Sequence, residues 1–234
     1  QAEDGIRDSV ASRGLGDVYK RQVLGSSLGV IVFSSLSSTF SHNFRGAVDW
    51  GLIKLVAPSI VVGSAIGGIT AGALDSDTLQ GLVALFLVVA SIQLIFEFPP
   101  PPQNPRTNLI GPVLAGGGIG WLSGVFGIGG GIFSVPYFYH RGLLMMKAIG
   151  TSAACGIPIA LAGSLSYMII GYENINLPEN SIGYVYLPAT IIVGLVSSLT
   201  AKYGVKIAHR MKQKKLRIGF AFLVMLMALN LLMR

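Results

Sequence analysis

The sequence has 234 residues, of which 52% are hydrophobic and only 12% are charged, and its formal net charge is +7. The charged fraction is about half that of an average soluble domain, which excludes an ordinary soluble enzyme. Most of the positive excess lies in one loop between apolar segments, residues 202–217, so the charge does not indicate nucleic-acid binding. A single cysteine, Cys155, excludes an internal disulfide and a cysteine-based zinc cage. We expect an all-α, polytopic membrane protein.

Residues 1–22 differ in character from the rest of the chain. They carry four acidic and four basic residues without apolar periodicity, and they predict a non-native or disordered N-terminal stretch. Beyond them, seven apolar segments are close to the roughly 20 residues that cross a bilayer. These predicted spans are 23–41, 55–74, 78–98, 109–139, 149–171, 182–201 and 216–233.

A proline-rich stretch at residues 99–108 predicts an extended linker between two halves, residues 23–98 and 109–234. The halves share a motif, because Leu-Gly-Ser-Ser at 24–27 resembles Ile-Gly-Thr-Ser at 149–152. The first three spans therefore repeat as the last three, and the fourth span has no partner in the first half. This pattern predicts a first repeat of three spans, with its first helix missing, and a second repeat of four. Since the repeat interval is then four spans, we expect two parallel four-helix repeats.

The basic residues predict an orientation, because cytoplasmic loops of membrane proteins are rich in Lys and Arg. Seven such residues lie within 202–217, so this loop is expected in the cytoplasm. Alternation of the predicted spans then places loop 42–54 and the C-terminus outside.

The fourth span contains the most unusual stretch of the chain, residues 124–136, with the sequence GVFGIGGGIFSVP. Its four clustered glycines cannot maintain a regular helix well, and its proline lacks a backbone donor. These residues predict a broken helix: Gly127, Gly129, Gly130, Gly131 and Pro136. At membrane depth such a break is tolerated only inside protein or beside a water-filled cavity, and in transporters it marks an anion site. The alternative is that the glycines only allow helices to pack closely.

Small hydroxyl residues open a span in each half, namely Ser26 and Ser27 in the first and Thr151 and Ser152 in the second. Each side chain can cap its own helix, or it can donate to an oxyanion if it lies beside the broken helix. The predicted spans contain almost no ionisable side chains, and no Walker loop, HExxH motif or Ser-His-Asp set is visible. We therefore expect no catalytic residue, no metal and no cofactor.

The sequence WLSGVFGIGGGIFSVPYF, followed by KAIGTS and by a related motif in the other half, resembles the sulfite exporter TauE/SafE family of membrane permeases. The resemblance extends over nearly all of residues 23–234, although the family's glycine-rich break in the first half is lacking here. It implies a secondary transporter, not an enzyme, that moves small sulfur-containing anions such as sulfite or sulfoacetate across the plasma membrane. A non-transporting membrane protein that assists another complex is the alternative.

The resemblance also implies a set of site residues and partners. The glycine-broken helix would form the substrate site with the hydroxyls that face it. The substrate-binding set is Gly127, Gly129, Gly130, Gly131, Pro136, Thr151, Ser152, Ser26 and Ser27. The implied partners are a small anionic substrate and the lipid bilayer, without nucleic acid, and a homodimer stays open.

Overall fold

The structure is a computed structural model that describes residues 2–71, 84–85, 87–89, 91–92, 95–96, 110–175 and 177–233. In this part of the chain the helices are α1 (Ala2–Asn43), α2 (Trp50–Thr70), α3 (Ile110–Phe126), α4 (Gly131–His140), α5 (Met145–Ile170), α6 (Leu187–Ala208) and α7 (Gln213–Leu232). A short antiparallel β-hairpin of β1 (Ser181–Ile182) and β2 (Val185–Tyr186) precedes α6. The expected all-α fold is confirmed.

Four helices of the described part are long and apolar enough to cross a membrane. They are the Val18–Asn43 portion of α1, together with α2, α5 and α6, and they match four of the predicted spans. α3 is also apolar, but it has only 17 residues. Most of the predicted third span and the whole proline-rich linker lie outside the described residues. The chain is a polytopic membrane protein.

The backbone of the predicted non-native stretch belongs to α1, which begins at Ala2. Its last residues contact the second half of the chain. The Gln22 amide donates to Ser181 Oγ over 3.1 Å, and the Arg21 guanidinium lies 5.9 Å from the centroid of the Tyr184 ring. Whether these residues are native stays a prediction.

α1 and α5 pack against each other in opposite directions. Gly25, early in α1, lies against Tyr167, late in α5, whereas His42, at the end of α1, lies against Gly150, near the start of α5. Because these helices correspond to the first and fifth predicted spans, a parallel repeat would require them to run in the same direction. The expected parallel relation of the two halves is therefore wrong for this pair.

α1 and α6 run in the same direction. The Tyr186 N–H, at the start of α6, donates to Ser26 Oγ over 2.9 Å. At the other end, His42 Nδ1 lies 3.1 Å from His209 Nε2. The loop after α1 and the loop after α6 are consequently at the same end of the helix bundle. The predicted alternation, which put these loops on opposite sides, is wrong.

Close backbone contacts align α2 with α3. A Cβ on Gly120 would overlap the Ile60 carbonyl, and one on Gly124 would overlap the Ser64 carbonyl. From the first contact to the second, the residue numbers rise by four in both α2 and α3, so the two helices are parallel. Because α2 begins just after the loop that follows α1, α3 also begins at that end of the bundle. Small residues allow the two backbones to approach this closely.

The predicted fourth span does not cross the bundle but turns back inside it. α3 runs away from the His42 end as far as Gly127, which packs on Leu24 of α1. α4 then returns, and its Tyr139 hydroxyl lies 3.5 Å from the Arg217 guanidinium at the start of α7. α3 and α4 therefore form a re-entrant helix pair. The expectation of parallel repeats counted this segment as one full crossing. Because the segment returns to the end where it entered, the helices that follow it run in the opposite direction to the one expected.

The structure gives the two ends of the bundle different characters. We call the end with His42, Gly150 and His209 the basic end, because Arg45, Arg141, Lys147 and the basic residues of 202–217 gather there. The other end, called the β-hairpin end, carries residues 172–186, which contain no Lys or Arg. The re-entrant pair enters and leaves at the basic end.

Candidate functional site

The break in the re-entrant pair lies at residues 127–130, between the end of α3 and the start of α4. Gly127 adopts a φ of 62°, a left-handed conformation that glycine accepts without strain. The next residue, Ile128, donates its N–H to Ser123 O over 3.2 Å and so closes α3. Four glycines within five residues thus make a helix break where the sequence predicted one, and the structure adds that the chain reverses its direction there.

The break sits at the middle depth of the two long helices beside it. A Cβ on Gly129 would lie 3.3 Å from Ile31 Cγ2 in the middle of α1, and one on Gly130 would overlap the Ile159 side chain in the middle of α5. Gly127 and Gly130 are buried. The break is therefore enclosed by helices from both halves of the chain, as an irregular backbone at membrane depth requires.

The first turn of α4 presents unused backbone donors. Within the described residues, no acceptor is bonded to the N–H groups of Gly129, Gly130, Gly131 or Ile132. The first amides of any helix lack partners inside the helix, and the helix dipole adds partial positive charge there. Together these groups make the start of α4 suitable for an anion.

Serine hydroxyls surround this donor set. Ser134 Oγ donates to Gly130 O over 2.6 Å and lies 2.6 Å from Ser152 Oγ of α5, so Ser152 is the donor in the bond between the two hydroxyls. Ser123 Oγ is fully buried and has no hydrogen-bond partner among the described residues, and it lies 3.7 Å from the point that a Cβ on Gly130 would occupy. A buried hydroxyl without a partner is unfavourable, so Ser123 is suited to bind a guest at the break.

Two side chains fasten the break to neighbouring helices through its carbonyl groups. Ser27 Oγ donates to Gly127 O over 2.6 Å. The Tyr167 hydroxyl donates to Val125 O over 3.2 Å. Gly127 O and Val125 O are bound in this way and Gly130 O accepts from Ser134, while the four N–H groups at the start of α4 are suited to an anionic ligand.

The structure brings most of the predicted site residues together. Gly127, Gly129, Gly130 and Gly131 form the break, with Ser27 on one side and Ser152 on the other. The three remaining residues of the predicted site lie away from the break: Thr151, Ser26 and Pro136.

Thr151 and Ser26 stabilise neighbouring segments rather than the break. Thr151 Oγ1 accepts from the Asp49 N–H over 3.0 Å and so holds the loop before α2. Ser26 Oγ accepts from the Tyr186 N–H and fastens the end of β2. Each residue is the immediate neighbour of a hydroxyl at the break, and one helical step of about 100° turns it to another face.

Pro136 does not take part in the break. α4 continues through Pro136, which is buried within the helix. A proline inside a helix removes one backbone hydrogen bond, but here it does not end the helix, because the reversal is already complete at Gly130. Sequence reasoning placed Pro136 in the site, and the structure places it one turn and a half further along α4.

Sequence reasoning missed Ser123 and Ser134, although both lie next to the glycine cluster. Ser134 is four residues after Gly130 and therefore one helical turn away. Ser123 comes seven residues before Gly130, and only the reversal of the chain brings it back to the break.

In the described residues, no three His, Cys, Asp or Glu side chains are grouped to hold a metal ion.

A buried helix break with free amides, enclosed by membrane-spanning helices, is the kind of site that membrane transporters use. The chain matches the Sulfite exporter TauE/SafE family over residues 18–231 and belongs to that family. Membership of a family of membrane permeases agrees with the expectation that the chain is not an enzyme.

Curated relatives support the same class. A probable membrane transporter protein of Haemophilus influenzae is 31% identical over 216 residues, which cover 90% of this chain and 80% of the relative. A probable membrane transporter protein of Methanocaldococcus jannaschii is 29% identical over 228 residues, with 94% and 82% covered. No solved structure matches the chain. The protein is a membrane transporter.

Proposed function

We propose that the protein is a secondary transporter that moves small sulfur-containing anions, such as sulfite or sulfoacetate, across the plasma membrane. The observation that carries this proposal is the unpaired N–H set of residues 129–132, next to the buried and unpartnered hydroxyl of Ser123. The family description supplies the substrate class, since it names a sulfite exporter.

The donor set suits a small oxyanion. Several N–H groups at one helix start, with a hydroxyl opposite, can each donate to a different oxygen of the anion. Ser134 donates its proton to Gly130 O, so Ser152 donates its proton to Ser134 Oγ, and within the described residues the Ser123 hydroxyl is the one that keeps a proton for the ligand. Neutral donors bind an anion without a charged partner that would hold it too strongly for release.

The surroundings of the break suggest how access alternates. α1 contacts the break through Ser27 and Ile31, and α5 contacts it through Ser152 and Ile159. In the described arrangement the break is enclosed on both sides. Movement of the re-entrant pair relative to α1 or α5 would open the site toward one end of the bundle at a time.

The distribution of charge supports the orientation. Because His42 contacts His209 at the basic end, Arg45 adds to the positive charge of residues 202–217 there. The β-hairpin connection 172–186 has no Lys or Arg, and Arg21 of α1 lies beside it. The positive-inside rule then favours a cytoplasmic position for the basic end, with the C-terminus outside.

A labelling experiment tests this orientation. A single cysteine introduced by Lys214→Cys, in a Cys155→Ala background, should react with an impermeant maleimide only in inside-out vesicles. Reaction only in right-side-out vesicles would reverse the orientation.

The transport assay uses the full chain in liposomes and follows radiolabelled sulfite and sulfoacetate, with and without a pH gradient. Gly131→Ala is the site variant, because it adds a methyl group at one of the free amides and its Cβ would lie 3.8 Å from Ser152 Oγ, which is ordinary van der Waals contact. Gly118→Ala is the matched control, since nothing lies within 4 Å of its Cβ position. We expect flux that falls at least about tenfold in Gly131→Ala and is unchanged in Gly118→Ala.

Three results would contradict the proposal in different ways. Equal flux in both variants would show that the anion binds elsewhere. No flux of either anion, from protein that is folded and monodisperse, would remove these anions as substrates. No flux of any tested anion, together with a stable co-purifying membrane protein, would favour the alternative of a non-transporting partner protein.

A further inference from the structure

A cleft of about 800 Å³ lies at the basic end, between the last turns of α1 and α6. It has no contact with the break at the middle of the bundle, and the transport proposal does not use it. Ser37 Oγ donates to Ser198 O over 2.6 Å and joins the two helices just above the cleft. Its walls consist of aromatic rings and cations: Phe40, Phe44, Arg45, Lys202, Tyr203 and Lys206.

No acidic side chain of the described residues neutralises the cations of the cleft. Lys202 and Lys206 are one helical turn apart on α6, and both are exposed. Within the described residues neither forms an ion pair. The Arg45 guanidinium donates to Ser41 O over 2.7 Å, which holds it at the cleft without neutralising its charge. Three cations around one opening therefore attract an anionic group.

The aromatic part of the cleft indicates that the ligand carries an apolar group beside its anionic group. Phe40 and Phe44 form an edge-to-face pair with centroids 4.5 Å apart. They are 61% and 74% exposed, and Tyr203 is 69% exposed. An exposed Tyr at the end of a membrane-spanning helix sits at the level of lipid headgroups, and the exposed Phe pair offers apolar surface to acyl chains. A soluble phosphate would use the cations but leave these rings without a partner.

We propose that this cleft binds the phosphate headgroup of an anionic phospholipid. The three cations contact the phosphate, and the acyl chains run along the aromatic pair and the adjacent faces of α1 and α6. Basic clefts between membrane-spanning helices have the charge and depth for such headgroups. The lipid would bridge α1 and α6 at the same end where His42 contacts His209.

The test measures lipid retained by the full-length purified protein, using native mass spectrometry after exposure to vesicles of phosphatidylglycerol and phosphatidylcholine. We expect bound phosphatidylglycerol in preference to phosphatidylcholine. Lys202→Gln/Lys206→Gln should weaken retention by roughly 30-fold, since each interfacial cation contributes about fivefold in affinity for anionic lipid. Lys202→Arg/Lys206→Arg should retain the lipid.

The matched control removes the same amount of positive charge from the same basic end. Lys214→Gln/Lys215→Gln changes two exposed lysines of α7 that do not line the cleft, so retention should stay at the wild-type level. Equal losses in the two Gln variants would show diffuse attraction to the basic end and overturn the proposal, as would full retention in Lys202→Gln/Lys206→Gln. Release of phosphatidylglycerol by millimolar inorganic phosphate would assign the cleft to soluble phosphate instead and also overturn it.

Discussion

Removal of the Ser123 hydroxyl should have opposite effects on stability and on anion binding. This hydroxyl is fully buried and has no hydrogen-bond partner in the part of the chain that the structure describes, so its removal should cost the anion-free protein little stability. A hydroxyl with a structural role would behave differently, because its removal would break an existing hydrogen bond. The variant Ser123→Ala therefore separates a ligand-binding group from a structural one.

The expected magnitudes follow from the burial and the missing partner. A buried polar group without a hydrogen bond costs about 1–3 kcal/mol, so Ser123→Ala should leave the melting temperature unchanged or raise it. A hydrogen bond to a charged ligand contributes about 1.5–3 kcal/mol. Loss of that bond should weaken anion binding by roughly 10- to 150-fold.

The assay compares Ser123→Ala with Ser164→Ala in the same detergent. Ser164 is also buried, but its Oγ bonds Leu161 O of its own helix over 3.2 Å. Melting curves without anion give stability, and the shift of the melting temperature with sulfite concentration gives apparent affinity. We expect a reduced shift for Ser123→Ala and a normal shift for Ser164→Ala.

One result would refute this reasoning directly. If Ser123→Ala lowers the melting temperature of the anion-free protein by several degrees and leaves the sulfite response intact, then the hydroxyl is structural. The assignment of the break as an anion site would then depend on the backbone amides alone.

Two further predictions test the packing and the basic end. Gly120→Ala should lower the melting temperature, because overpacking against the α2 backbone costs about 1–3 kcal/mol, whereas Gly118→Ala should not; equal melting temperatures would contradict the close α2–α3 contact. Burial, and then the Arg45 guanidinium, lower the pKa of His209 from its usual 6.5. The unfolded chain therefore binds this proton first, and stability should fall as the pH drops below 6.5. His209→Gln should show a smaller loss between pH 7.5 and 5; an identical loss would exclude protonation of His209 as a cause of the acid sensitivity.

The relation between the two halves was the largest difference between the sequence-based expectation and the structure. Hydropathy measures how long and how apolar a segment is, but not whether it leaves the bundle at the end where it entered. The predicted span 109–139 is long enough for one crossing or for two shorter helices. Only the contacts of Gly127 with α1 and of Tyr139 with α7 show that the chain turns back.

The choice among neighbouring hydroxyls also required the tertiary structure. Thr151 and Ser152 are adjacent in the sequence and chemically alike, and the motif gave no reason to separate them. In the fold, Ser152 meets Ser134 at the break, while Thr151 holds the loop before α2. The pair Ser26 and Ser27 divides in the same way, because consecutive helical residues point in different directions.

The sequence by itself determined the membrane class, most of the spans, the glycine break and the family, because these depend on composition, on local backbone chemistry and on a specific motif. Glycine clusters weaken a helix wherever they occur, so the position of the break was local information. The direction of each helix, the approach of Ser123 to Gly130 and the cleft between α1 and α6 depend on contacts between residues far apart in the chain. Only packing brings such residues together, and the tertiary structure therefore decided them.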